Sequence, residues 1–177
     1  MKRVMLLSMV LLITSTLAAE SNNVGTFRFV EKVGGHTVRL LFTTAPFERS
    51  KHRITFRKRL DSRVLEVDGR EALGVDEDIP KVEIRSIKFQ FDGRVVEVPR
   101  SLYADCFEPN FKKEYFAIKA GDDRKSLFVF MDASDGAGGY LVVWVLRSDG
   151  LHSRFSCPFS DCDYTRFMSY FVDQFSR

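Results

Sequence analysis

The segment 132–139 holds the residues whose types best suggest ligand chemistry. It contains two carboxylates, Asp132 and Asp135, together with three glycines and no large side chain. Glycine lets backbone approach a ligand closely, and carboxylates are ligands for Ca²⁺. Calcium usually takes about 6–8 oxygen ligands, so Asp132 and Asp135 would need carbonyls or a second acidic loop. Two interpretations stay open: a calcium or other metal site, or a connection in which Asp and Gly satisfy special backbone angles.

A catalytic version of the same site adds His152, which follows the next apolar strand. Asp132, Asp135 and His152 would then serve a metal-assisted hydrolase. The sequence contains no nucleophile elbow, phosphate-binding loop, zinc-protease helix or dinucleotide fingerprint. We therefore assign no catalytic residue and expect no obligatory cofactor, with Ca²⁺ as the one candidate.

A basic stripe is the second candidate site. Alternation places Lys51, Arg53, Arg57 and Arg59 on one strand face together with Thr55. Residues 49–63 hold seven Lys or Arg and one acid, whereas residues 66–83 hold seven acids and two bases. The stripe suits an anionic ligand such as a phosphorylated glycolipid or an acidic partner. The alternative is an edge strand whose charges prevent aggregation, with the acidic segment as its compensation.

Three cysteines allow one disulfide at most and three pairings. Cys157 and Cys162 bracket four residues and could close a small loop, which makes them the candidate pair. Cys106 could pair with either of them or remain a small buried hydrophobic residue.

The N-terminus predicts export. Residues 1–19 combine Lys2 and Arg3, an apolar run from Val4 to Ile13 and small residues up to Ala19, which is typical of a cleaved signal peptide. The run from Val4 to Ala19 is 16 residues, shorter than the ~20 that a membrane-crossing helix needs. Cleavage lowers the net charge from +3 to +1. We expect a periplasmic or secreted protein with no transmembrane segment after cleavage and no nucleic-acid partner.

Glycine turns between alternating runs predict the strands that position these residues. The Gly34-Gly35 turn pairs Val33 with His36, Phe29 with Leu40 and Phe27 with Phe42. The Asp92-Gly93 turn pairs Phe89 with Val96 and Lys88 with Glu97, and a bulge is expected near Arg85-Ser86. The Asp149-Gly150 turn pairs Trp144 with Phe155. The prediction of a turn at Asp68-Gly69 is weaker, because this turn would pair Glu66 with Glu71, two side chains of like charge.

Phenylalanines at 167, 171 and 175 recur every four residues and predict a C-terminal helix over 163–175. We expect a single domain, 20–177, that is mainly β: an antiparallel β-sandwich or partly open barrel of roughly nine to ten strands with that helix packed on it.

Function is expected to be binding, without catalysis. The leading hypothesis is an exported β-domain that recognises a protein or an anionic envelope component, and the alternative is the metal-assisted hydrolase or calcium-binding domain with its site at 132–139.

Overall fold

The computed structural model describes residues 24–33, 35–59, 62–75, 78–112, 115–121, 126–133, 138–147 and 152–158. These residues are mainly β and form three antiparallel sheets. The first sheet has the order β1-β2-β6-β7, with strands Gly25–Val33, His36–Pro46, Val82–Phe91 and Arg94–Glu97. The second has the order β11-β10-β9-β8, with strands Ser153–Pro158, Tyr140–Arg147, Ser126–Ala133 and Phe116–Ala120. The third has the order β3-β4-β5, with strands Ile54–Arg59, Ser62–Val67 and Arg70–Glu71.

The predicted registers of the first two hairpins are confirmed. Val33 pairs with His36, Phe29 with Leu40 and Phe27 with Phe42. Phe89 pairs with Val96 and Lys88 with Glu97. The β2–β6 register shifts where Thr43 pairs with Ser86 and Thr44 with Ile84, which leaves Arg85 as the extra residue of the predicted bulge.

The register predicted for the third hairpin is wrong by one residue. Val143 pairs with Phe155, and Trp144 pairs with Arg154. Arg147, the last residue of β10, donates its backbone N–H to Nδ1 of His152 at 3.2 Å. Because Phe155 pairs with Val143, it lies on the same sheet face as Val143 and not on the face of Trp144. Val143 belongs to a small hydrophobic cluster with Phe128 and Phe130.

One large hydrophobic cluster contains buried residues of both four-stranded sheets. Leu40, Phe42 and Phe89 come from the first sheet, and Val129 and Trp144 come from the second. Ring contacts join the sheets: Phe29 stacks on Phe116 at 4.1 Å, and Phe42 lies 5.7 Å from Trp144. A separate cluster around Leu65, Val67 and Phe107 supports the third sheet.

The C-terminal helix is not confirmed. Residues 163–175 lie outside the described residues. The helical structure in the described part consists of short 3-10 turns at Arg49–Lys51 and Arg100–Leu102 and a 3-10 residue at Tyr115. The described strands number eleven, slightly more than expected, because β5 contributes two residues as a separate strand.

Candidate functional site

The predicted basic stripe lies on and just before β3, and two of its four cations have carboxylate partners within the chain. Arg57 Nε lies 3.0 Å from Oε1 of Glu66, and Lys51 Nζ lies 2.7 Å from Oε1 of Glu48. Arg53 donates its backbone N–H to Oδ1 of Asp68 at 2.9 Å. The side chain of Arg59 lies outside the described side chains. The charge compensation expected for a protective edge strand is therefore observed at two of the stripe's cations.

Arg57 also explains how the Asp68-Gly69 turn forms. Glu66 pairs with Glu71 across β4 and β5, the like-charge register that weakened the turn's prediction. Arg57 Nη2 lies 3.6 Å from Oε2 of Glu71, in addition to its contact with Glu66. One guanidinium thus offsets the repulsion between the two carboxylates.

His52 joins the third sheet to β6. Its Nδ1 lies 2.8 Å from Oδ2 of Asp68, and its Nε2 lies 3.4 Å from Oε2 of Glu83. Its ring stacks on Phe47 at 4.6 Å. Because a carboxylate only accepts, the proton of the short contact resides on Nδ1. The hydrogen bond from His52, and then the backbone N–H of Arg53, lower the pKa of Asp68.

Glu83 is a buried carboxylate held by charge. Its side chain is 3% exposed, and its Oε1 lies 2.8 Å from Nη2 of Arg85. The same Arg85 nitrogen lies 3.4 Å from Glu48. Close contacts run from Lys51 through Glu48 and Arg85 to Glu83 and His52. Among the described residues, Oε1 of Glu83 and Nε2 of His52 are buried and have no partner with hydrogen-bond geometry. Such a network holds elements in place.

The residues proposed for a metal do not come together in the described part of the chain. Asp132 is the last residue but one of β9 and is half-buried. Burial raises the pKa of its carboxyl, which disfavours the charged form that a cation needs. Asp135 lies outside the described residues. His152 accepts from Arg147 through Nδ1 and lies edge-on to Phe89 at 5.5 Å. Among residues that the structure describes, no group of three or more His, Cys, Asp or Glu is arranged to hold a metal ion.

The cysteines divide into one free thiol and one bonded sulfur. Cys106 is buried and free, and burial raises the pKa of its thiol to about 12. Cys157 is disulfide-bonded. Cys162 lies outside the described residues, so the pairing of Cys157 with Cys162 stays a prediction.

The structure also presents a cationic surface that was not among the predicted sites. It is the outer face of the first sheet, and we call it the basic face. Its cations are Arg28, Lys32, Arg39 and Lys88. Within the described residues, none of these four side chains has a carboxylate oxygen within 4 Å, in contrast to Lys51 and Arg57 of the stripe. Arg39 is held by a hydrogen bond from Nη1 to Oε1 of Gln90 at 3.0 Å.

Acidic charge on the basic face is small. Glu97 lies opposite Lys88, and Asp92 lies in the turn after β6 at the border of the face, so the four cations outnumber the acids near them. The sequence contained the signal: once Phe27 and Phe29 face inward, alternation sends Arg28, Val30 and Lys32 outward. The run 49–63 predicts a basic site because its cations are close together in sequence. The cations of the basic face come from separate strands and lie close together only through strand pairing.

The described residues contain no helix with the length and apolar composition needed to span a membrane. No protein-family model matches the chain, and neither a curated protein nor a solved structure shows significant similarity to it.

Proposed function

We propose that this chain is an exported, non-enzymatic binding domain that recognises an anionic component of the cell envelope through the basic face. The observation that carries the proposal is the set of four cations on one exposed sheet face with no carboxylate partner among the described residues. Unpaired cations keep their full attraction for an external anion, whereas paired cations must first give up an internal partner.

Export is supported by two features. The N-terminal residues have the pattern of a signal peptide, and Cys157 is disulfide-bonded, as oxidising compartments favour. A periplasmic or secreted location also places the domain among anionic envelope molecules.

The architecture supports a rigid display of the basic face. We assign the two four-stranded sheets to the two layers of an antiparallel β-sandwich, because Phe29 and Phe42 of one contact Phe116 and Trp144 of the other. The inner face of the first sheet is then fixed by the core, and its outer face presents the cations at set spacings.

The test compares two sets of three charge removals. One variant carries Arg28→Ala, Lys32→Ala and Arg39→Ala on the basic face. The matched control carries Lys51→Ala, Arg53→Ala and Arg57→Ala on the stripe, so both lose the same net charge. Exported protein with its disulfide intact is bound to immobilised dextran sulfate, with neutral dextran as the blank.

We expect the basic-face variant to lose about a hundredfold in affinity, since each cation near an anionic surface contributes about 1 kcal/mol, and the control to lose much less. Equal losses would mean that net charge alone controls retention, which overturns the site. A larger loss in the control would return the site to the stripe. Melting temperatures of both variants show whether either loss reflects unfolding.

A further inference from the structure

We infer that the anionic component is the surface of a lipid bilayer, on which the basic face lies flat with Val30 and Val95 entering the headgroup region. This inference rests on the proposed function, because it names the ligand of the same face. It depends on a second observation, the exposure of two apolar side chains among the cations.

Val30 and Val95 are the most exposed large hydrophobic residues of the described chain, at 52% and 62%. Both lie on the basic face in a single row across the sheet. In that row Val30 pairs with Arg39, Arg39 with Gln90, and Gln90 with Val95. Since β1 and β7 are the outer strands of the sheet, the two valines stand about 14 Å apart, three strand spacings.

Cations surround the valine on β1. Arg28 and Lys32 lie two residues before and after Val30, about 6.6 Å along the strand and on the same face. Long basic side chains keep their charge at the level of phosphates while their methylenes and a neighbouring apolar residue reach deeper. Arg39, tied to Gln90, lies between the two valines.

This combination favours a bilayer over a soluble anion. A polysaccharide or a free phosphate would be held by the cations, and the valines would gain nothing from it. An anionic bilayer offers phosphates and apolar depth over the whole width of the sheet. The face is also without aromatic side chains among the described residues, whereas protein interfaces concentrate their binding energy in Trp and Tyr.

Vesicles of equal parts phosphatidylglycerol and phosphatidylcholine test the inference, with pure phosphatidylcholine vesicles as the blank. The variant carries Val30→Thr and Val95→Thr, which preserve shape, strand propensity and charge. The control variant carries Phe56→Ser. Phe56 is a hydrophobic residue of the third sheet whose exposed fraction is 41%. Dextran sulfate binding is measured in parallel for every protein.

We expect the wild-type chain to sediment with the anionic vesicles, the double threonine variant to bind them about tenfold more weakly, and its dextran sulfate binding to stay unchanged. Phe56→Ser should bind both probes as wild type does. Vesicle binding that is unaffected by the threonines would overturn the inference, since the valines would not be inserted.

A Trp probe reads the insertion directly. Val95→Trp places an indole on the basic face, and the single native tryptophan, Trp144, is buried at 1% exposure. Emission of the added indole should shift to shorter wavelength on anionic vesicles, and an unchanged spectrum contradicts insertion. Binding to dextran sulfate without binding to the vesicles refutes the bilayer while leaving the proposed function intact. Binding to neither probe refutes both.

Discussion

The guanidinium of Arg154 holds both carboxylate oxygens of Asp105. Nη1 contacts Oδ1, and Nη2 donates to Oδ2 at 2.9 Å. The side chains are 17% and 10% exposed, so the pair is largely removed from water. This ion pair connects Asp105, which follows the second 3-10 turn, to Arg154 on β11, an edge strand of the second sheet.

Asp105→Asn should destabilise the protein by about 3 kcal/mol, because it leaves a mostly buried guanidinium without its counter-charge. Denaturant unfolding monitored by tryptophan fluorescence measures the change. Glu48→Gln is the control, since it removes an exposed partner of Lys51 and should destabilise the protein much less than Asp105→Asn. Equal effects in the two variants would show that Arg154 finds compensation elsewhere.

Gly74→Ala should destabilise the protein by about 3 kcal/mol or more. Gly74 has a φ of +94°, and a Cβ there would overlap the carbonyl oxygen of Phe107 and lie 2.9 Å from Cε1 of Tyr140. Phe107 cannot move easily, because it accepts a hydrogen bond from Tyr140 and donates its N–H to Leu73.

The variant Gly93→Ala measures the cost of backbone strain without the steric overlap expected at Gly74. Gly93 has a similar φ of +86°, but a Cβ added in this exposed turn would meet no atom within 4 Å. It should cost about 1 kcal/mol, the strain of the left-handed conformation alone. Thermal unfolding of the two variants, compared with wild type, gives both values, and equal losses would contradict close packing at Gly74.

The Asp68–His52 hydrogen bond predicts a component of acid sensitivity. In the folded protein the pKa of Asp68 is below its ordinary value of 3.8. At a pH near these values the folded chain therefore binds fewer protons at Asp68 than the unfolded chain does. The associated stability is present above that ordinary value and is lost as the pH falls from it through the lower folded pKa.

Melting temperatures of wild type and Asp68→Asn between pH 2 and 7 test this relationship. We expect the variant to be less stable than wild type at pH 7 and the difference to shrink below about pH 4. A difference that stays constant over the whole range would mean that the carboxylate's charge contributes nothing to folding.

The fold was predictable where a short turn and a strict alternation agree. Gly34-Gly35 and Asp92-Gly93 set their registers because a one-residue slip would turn Phe29 or Phe89 out of the core. The register of the third hairpin was predicted wrongly, because the apolar run 141–146 has no polar alternation that would penalise a slip of one residue.

The candidate site was less predictable, because charge density along the chain differs from charge density in space. The stripe at 51–59 is dense in sequence, but Glu48 pairs with Lys51, and Glu66 and Glu71 pair with Arg57. Arg28, Arg39 and Lys88 are far apart in sequence, and only the pairing of β1, β2 and β6 brings them onto one face.

Alkylation of the cysteines tests the last expected pairing. Cys106 is buried, and desolvation together with the nearby Asp105 charge raises the pKa of its thiol to about 12. The thiolate is the reactive form, so iodoacetamide at about pH 8 should add nothing to the native protein. Denaturation without reductant should expose Cys106 and add one label, while Cys157 stays protected by its disulfide.

Reduction of the denatured protein should then raise the count to three labels, one for each cysteine of the chain, and peptide mass mapping identifies which cysteine reacts at each stage. A first label on Cys106 supports the pairing of Cys157 with Cys162. A first label on Cys162 would instead join Cys157 to Cys106 and contradict the free thiol of the fold. Rapid labelling of the native protein would show that Cys106 reaches solvent through opening of the segment that Arg154 fastens.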